Sequence, residues 1–170
     1  MASQDDYAEF FLASRADTIQ YDTLELSHPN FTRIYRMVRN KTTDLTATLE
    51  NELGEATFEY VPMTVRGTVV RDNLDYGVTV VLGDLGETLT KELTAVGQAD
   101  GFATRVSVVY RTYRSDDLSA PLFGPVPLEI SDFNFNGDGA SFTAHVPKLN
   151  ETTTGESYDI DRFETLRGVL

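Results

Sequence analysis

Apolar and polar residues alternate along most of this chain, and a helical period replaces the alternation in two places. The alternation is clearest over 106–114. Val106, Val108, Tyr110, Thr112 and Arg114 point one way along a strand, and Ser107, Val109, Arg111 and Tyr113 point the other. The load of β-branched and aromatic residues supports the strand. It stops at the polar cluster Ser115, Asp116 and Asp117, with Pro121 beyond. The same reading predicts strands over 18–27, 32–38, 44–50, 57–61, 63–71, 76–82, 127–135 and 140–146. Turn residues separate them: His28-Pro29-Asn30, Asn40-Lys41, Asp72-Asn73 and the 136–139 cluster. Pro62 marks an edge or a bend because it cannot donate to a ladder, and 122–125 reads as a loop.

The first helical stretch opens with Ser3 and Asp6 in capping-box spacing and continues through Tyr7, Phe10, Phe11 and Ser14. It predicts a short helix over about 4–14, docked on the sheet or on a neighbouring subunit. The second has Asp84 and Glu87 in the same spacing, then Leu85, Leu89, Leu93 and Val96. Glu87 and Lys91 form an i, i+4 pair, and Gly97 is the expected stop. The fold class expected is mainly β, a β-sandwich or barrel, with two α-helices: a short N-terminal one and one near 85–97 (α+β by content). The organisation expected is a helical arm over 1–17, a β-rich domain over 18–150 and an extended segment over 151–170.

Composition narrows the function. The 170 residues suit one domain with a real core. The formal charge of −13 disfavours nucleic-acid binding and anionic membrane surfaces, which need clustered Lys and Arg. The absence of cysteine removes disulfides, thiolate metal sites and thiol nucleophiles. The first residues are acidic and polar, unlike a signal peptide. No apolar run reaches the ~20 residues that a membrane helix needs.

The candidate chemical groups read mostly as structure. Asp132, Asn134, Asn136 and Asp138 alternate with a glycine at the sixth position, as in a calcium loop. The twelfth position is Thr143, where a bidentate Glu is needed, and Phe133 and Phe135 fit a strand, so a hairpin turn is the favoured reading. His28 and His145 have no spacing that builds a zinc site or a triad. Ser107 and Ser141 lack a nucleophile elbow. Asp116 with Asp117, and Asp159 with Asp161, read as turn or capping groups, since adjacent solvated carboxylates give no acid–base difference. No catalytic, cofactor-binding or metal residue is assigned. Candidate subunit contacts are Tyr7, Phe10 and Phe11 in the arm and Arg162, Phe163 and Arg167 in the tail, where guanidinium forks suit carboxylates, with a solvated face as the alternative for Arg162 and Arg167.

Five stretches carry a resemblance: Tyr21-Asp-Thr-Leu-Glu-Leu-Ser-His-Pro29, Ile34-Tyr-Arg-Met-Val-Arg-Asn40, Asp44-Leu-Thr-Ala-Thr-Leu-Glu50, Val108-Val-Tyr-Arg-Thr-Tyr-Arg-Ser-Asp-Asp-Leu-Ser-Ala-Pro121 and Asp161-Arg-Phe-Glu-Thr-Leu-Arg-Gly168. In this order they resemble a family of tailed-bacteriophage tail-tip or baseplate proteins, a domain of unknown function encoded near tape-measure and tail-tip hub genes. The resemblance runs from about residue 18 to the end of the chain. It implies a non-enzymatic structural protein of the virion tail, made in the host cytoplasm, without cofactor. It implies copies arranged in a ring, sixfold or threefold, that joins the tail tube to the tip and meets tube, tape-measure and hub proteins. Rings need heterologous, closing contacts. The alternatives are a tail assembly factor, or a small cell-envelope hydrolase or glycan-binding domain, which would need convergent carboxylates or aromatics in a pocket.

Overall fold

A computed structural model describes residues 18–50, 54–68, 77–83, 86–99, 102–136 and 139–147. Expectations for the arm at 1–17 and the segment beyond 147, including Tyr7, Phe10, Phe11, Arg162, Phe163 and Arg167, lie outside these residues. So does the pair Asp159 and Asp161. The described strands are β1 (Gln20–Ser27), β2 (Tyr35–Val38), β3 (Leu45–Thr48), β4 (Glu55–Tyr60), β5 (Met63–Thr68), β6 (Gly77–Leu82), β7 (Ser107–Arg114), β8 (Phe123–Asn136) and β9 (Gly139–His145). One helix, α1 (Gly86–Ala99), stands among the described residues. The fold is mainly β, as the alternation predicts.

The nine strands form one sheet in the order β3-β4-β2-β1-β7-β8-β9-β6-β5. Every pairing is antiparallel except β2 with β4. Strand β7, the most legible in the sequence, takes the middle place. It pairs along its whole length with β1, from Gln20 opposite Arg114 to Ser27 opposite Ser107. The sheet is rolled. The Val61 N–H donates to the Val38 carbonyl at 3.2 Å, and Arg39 Nη1 donates to the Val65 carbonyl at 3.4 Å. These contacts bring β5, last in the order, back toward the end of β2.

Two hydrophobic clusters lie on opposite faces of the central strands. Leu24 and Leu26 of β1 sit opposite Tyr110 and Val108 of β7 and opposite Met37 and Tyr35 of β2. They belong to the larger core with Leu128, Phe142, Val80 and Leu82, which Leu89 and Leu93 of α1 also enter. The other face carries Val38 and Tyr113. The hairpin β3–β4 covers it with Leu45, Ala47, Ala56 and Phe58, forming a second core. The Phe58 and Tyr113 rings lie 6.1 Å apart. Tyr113 is therefore buried, although it alternates with the core-facing side of its strand. Each such aromatic or aliphatic side chain contributes roughly 1.5–3 kcal/mol of burial.

Three expectations are corrected. The second strand starts at Tyr35, not Thr32, because the Thr32 N–H turns away from the ladder to the Glu92 carboxylate at 3.1 Å. The 122–125 stretch is not wholly loop: β8 begins at Phe123, opposite Thr112, across an irregularity between Tyr110 and Thr112. Gly124 makes this possible with φ of 94°, and a Cβ there would meet the Tyr110 carbonyl oxygen at 2.6 Å. Gly97 does not stop α1, which runs on to Ala99. Its bare face receives the Phe102 ring instead, 3.1 Å from where a Cβ would stand. Pro62 does sit at a bend. The chain there leaves β4 for β5 at the far end of the sheet order, and the Pro62 carbonyl accepts the Gly83 N–H at 3.0 Å.

Candidate functional site

Among the described residues, buried charge is concentrated in three clusters, each joining segments distant in sequence. The first centres on Arg111, placed by β7 on the face that the β3–β4 hairpin covers. It is 2% exposed. Its Nε and Nη2 donate to the two oxygens of Glu50, which follows β3, both at 2.7 Å. Its Nη1 lies 3.7 Å from Glu25 on β1 and makes no hydrogen bond. Glu25 also accepts from Arg36 Nε of β2 at 2.8 Å. The Arg111 fork holds the Glu50 carboxyl below its ordinary value, against the opposing effect of burial. Burial is the largest influence on Tyr113 beside it and pushes that phenol up to about 12. The Tyr113 hydroxyl donates to the Thr48 carbonyl at 3.1 Å.

The second cluster surrounds Asp22 of β1. Its Oδ1 accepts from the Tyr110 hydroxyl at 3.1 Å and from Gln20 Nε2 at 3.0 Å. Its Oδ2 lies 3.5 Å from Arg39 Nη1. Because Arg39 also reaches Val65, this group ties β1, β7 and β5 together.

The third cluster is Glu92 on α1, 7% exposed. It accepts from the Thr32 N–H at 3.1 Å, the Thr32 hydroxyl and the Tyr35 hydroxyl at 2.7 Å. Desolvation acts to raise this carboxyl, but the donors of Thr32 and Tyr35 outweigh it and hold it below its ordinary value. Glu92 therefore fastens the helix to the entrance of β2.

The groups singled out in the sequence fall into local structure. Arg114 forks onto Asp116 at 2.9 and 2.7 Å, and Asp117 accepts from the Ser119 N–H and hydroxyl at 2.9 and 2.6 Å. The Ser119 donors hold Asp117 below its ordinary value. This is the structured turn expected after β7. His28 is buried and accepts the Asn30 N–H at Nδ1, so its Nε2 carries the proton and donates to the Thr104 carbonyl at 3.1 Å. His145 lies on β9 opposite Gly77 and Glu129. Asp132 and Asn134 lie in β8, paired with Thr143 and Ser141 of β9, so the calcium-like spacing falls on a hairpin. No group of three or more His, Asp or Glu among the described residues has the arrangement of a metal site. Sequence reading missed Glu92 and the Arg111–Glu50 pair. Glu92 was detectable, since it shares the apolar helical face of Leu89, Leu93 and Val96.

What these clusters can do chemically is fasten strands. Each buried carboxylate is met by donors from another element, a geometry that holds a rolled sheet together. Over residues 7–153 the chain matches the family described as Domain of unknown function (DUF1833), and it belongs to that family. No curated protein matches the chain.

Proposed function

We propose that this protein is a structural component of a bacteriophage tail tip or baseplate, in which copies form a ring that links the tail tube to the tip or hub. The observation that carries the reading is the ordered set of sequence stretches that resemble tail-tip proteins, from Tyr21 to Gly168. Most of the quoted residues before Pro121 now have structural places. Tyr21–Ser27 lies in β1, Tyr35–Val38 is β2, Leu45–Thr48 is β3, and Val108–Arg114 with its turn is β7 and its exit. Strands β2, β1 and β7 adjoin at the middle of the sheet, and β3 covers one of their faces, an arrangement that suits a scaffold.

The sheet also offers material for subunit contacts. Its order ends in β3 on one side and β5 on the other. The β3 edge is partly closed, since the Thr48 N–H donates to the Leu118 carbonyl at 2.9 Å. Among the described residues, strand β5 pairs with β6 alone, and Arg39 Nη1 reaches its Val65 carbonyl at 3.4 Å. An open strand edge is a ready template for a neighbour, and two different patches joined around an axis close a ring. The net charge of −13 suits a conduit that must release DNA, because an acidic lumen repels phosphate. The test is protein mass spectrometry of purified virions. The reading expects this chain in fixed proportion to tail proteins. Its absence from virions, with presence in infected-cell lysate, would overturn the structural role in favour of an assembly factor.

A further inference from the structure

We propose that the β3–β4 hairpin opens and closes on the main sheet as a unit of its own, with the Arg111–Glu50 pair as its latch. The hairpin has its own core and a short seam. Leu45, Ala47, Ala56 and Phe58 pack with Val38 and Tyr113, apart from the larger cluster that α1 enters. The hairpin joins the sheet through two residue pairs, Met37 with Glu59 and Val38 with Tyr60, whereas β1 and β7 share eight. Sub-global units of this kind open below the free energy of global unfolding.

The Val61 N–H extends this seam onto the Val38 carbonyl at 3.2 Å, and the other polar ties among the described residues sit at two places. At one, Arg33 forks onto Glu59 at 2.6 and 3.2 Å, with side chains 53% and 49% exposed. An exposed pair of this kind holds little. At the other, Glu50 meets buried Arg111 while Thr48 is held by Leu118 and Tyr113. Among the described residues, Arg111 and Tyr113 of β7 surround Glu50, and Glu25 of β1 lies against the same Arg111, with Arg36 of β2 on the far side of Glu25. Without the Glu50 charge, the carboxylate left to Arg111 among the described residues is Glu25 at 3.7 Å, which Arg36 already engages at 2.8 Å. A buried guanidinium left in that state draws in water, and the hairpin is the element that moves to admit it.

Because its partner lowers the folded-state value of Glu50, the latch holds fully above the ordinary carboxyl range. It weakens as pH falls through the lower folded value. Near neutrality Glu50 stays charged and the latch stays shut. Opening bares Val38, Tyr113 and the edge of β2.

The test is residue-resolved amide exchange on the full chain, read as protection factors. In the unaltered protein, residues 45–48 and 55–60 should share one protection factor, at least about tenfold below that of Val108 and Tyr110. Glu50→Gln should lower hairpin protection about tenfold further and leave β7 unchanged, while Glu59→Gln should change it less than about twofold. Lowering the pH of the unaltered protein from about 5 to 3 should weaken the hairpin first. Equal protection in hairpin and β7 would overturn the proposal. So would equal effects of Glu50→Gln on both elements, or equal effects of Glu50→Gln and Glu59→Gln.

Discussion

Replacing Glu92 by alanine tests how the helix is held to the sheet. The carboxylate accepts three donors from two residues: the Thr32 N–H, the Thr32 hydroxyl and the Tyr35 hydroxyl. Hydrogen bonds to a charged group contribute roughly 1.5–3 kcal/mol each, but the two hydroxyls can rotate toward other acceptors. The Thr32 N–H cannot, because its direction is set by the backbone. Taking the full loss for that donor and about half for each hydroxyl gives about 3–6 kcal/mol for Glu92→Ala. Glu92→Gln keeps one acceptor oxygen and should cost about 1–3 kcal/mol. Tyr35→Phe alone should cost about 1–1.5 kcal/mol, and the pair Glu92→Ala with Tyr35→Phe should cost less than the sum, since both remove one bond. The chain has no tryptophan and eight tyrosines, so urea unfolding is best followed by far-ultraviolet circular dichroism. The slopes should stay equal while the midpoints shift. The stabilisation from Glu92 should be complete above its unfolded value and lost as pH falls through the lower folded one. A cost below about 1 kcal/mol for Glu92→Ala, or strict additivity with Tyr35→Phe, would show that Glu92 does not hold the helix to the sheet.

Arg111→Met should cost about 3–5 kcal/mol by leaving the Glu50 and Glu25 carboxylates without their buried partner, and Arg111→Met with Glu50→Leu should recover most of it in the same urea assay. Tyr113 is neutral and buried with its value raised to about 12, so the stability linked to it is full below about pH 10 and falls as pH rises toward 12. Alkaline unfolding should show that loss, and Tyr113→Phe should remove it at a cost of about 1 kcal/mol near neutrality. Gly124→Ala places a Cβ 2.6 Å from the Tyr110 oxygen at φ of 94° and should cost about 1–3 kcal/mol in thermal unfolding.

Much of the sheet was legible because local chemistry and final environment agree. Val106 to Tyr110 alternates, and its inward residues do enter the main core. The Arg114–Asp116–Asp117 turn was legible for the same reason, as its bonds are made within a few residues. The start of β2 was not, because Thr32 leaves the ladder for Glu92, 60 residues away. The start of β8 was hidden by Gly124 and Pro125, which read as a break until the opposing irregularity in β7 accommodates them. Alternation along β7 marked Arg111 as facing away from the core. It could not reveal that a hairpin 61 residues away in sequence would bury that face and bring Glu50 to it. The helix ran past Gly97 because packing against Phe102, rather than backbone freedom, explains that glycine.

We propose that copies of this chain form a ring in a phage tail. Cryo-electron microscopy of the tail tip of purified virions tests it most directly. A ring of this chain would show density for the rolled nine-stranded sheet, repeated about the tail axis in a closed ring between tube and tip. A complete reconstruction of the tail with no density for this fold would contradict it, as would a single copy outside any ring.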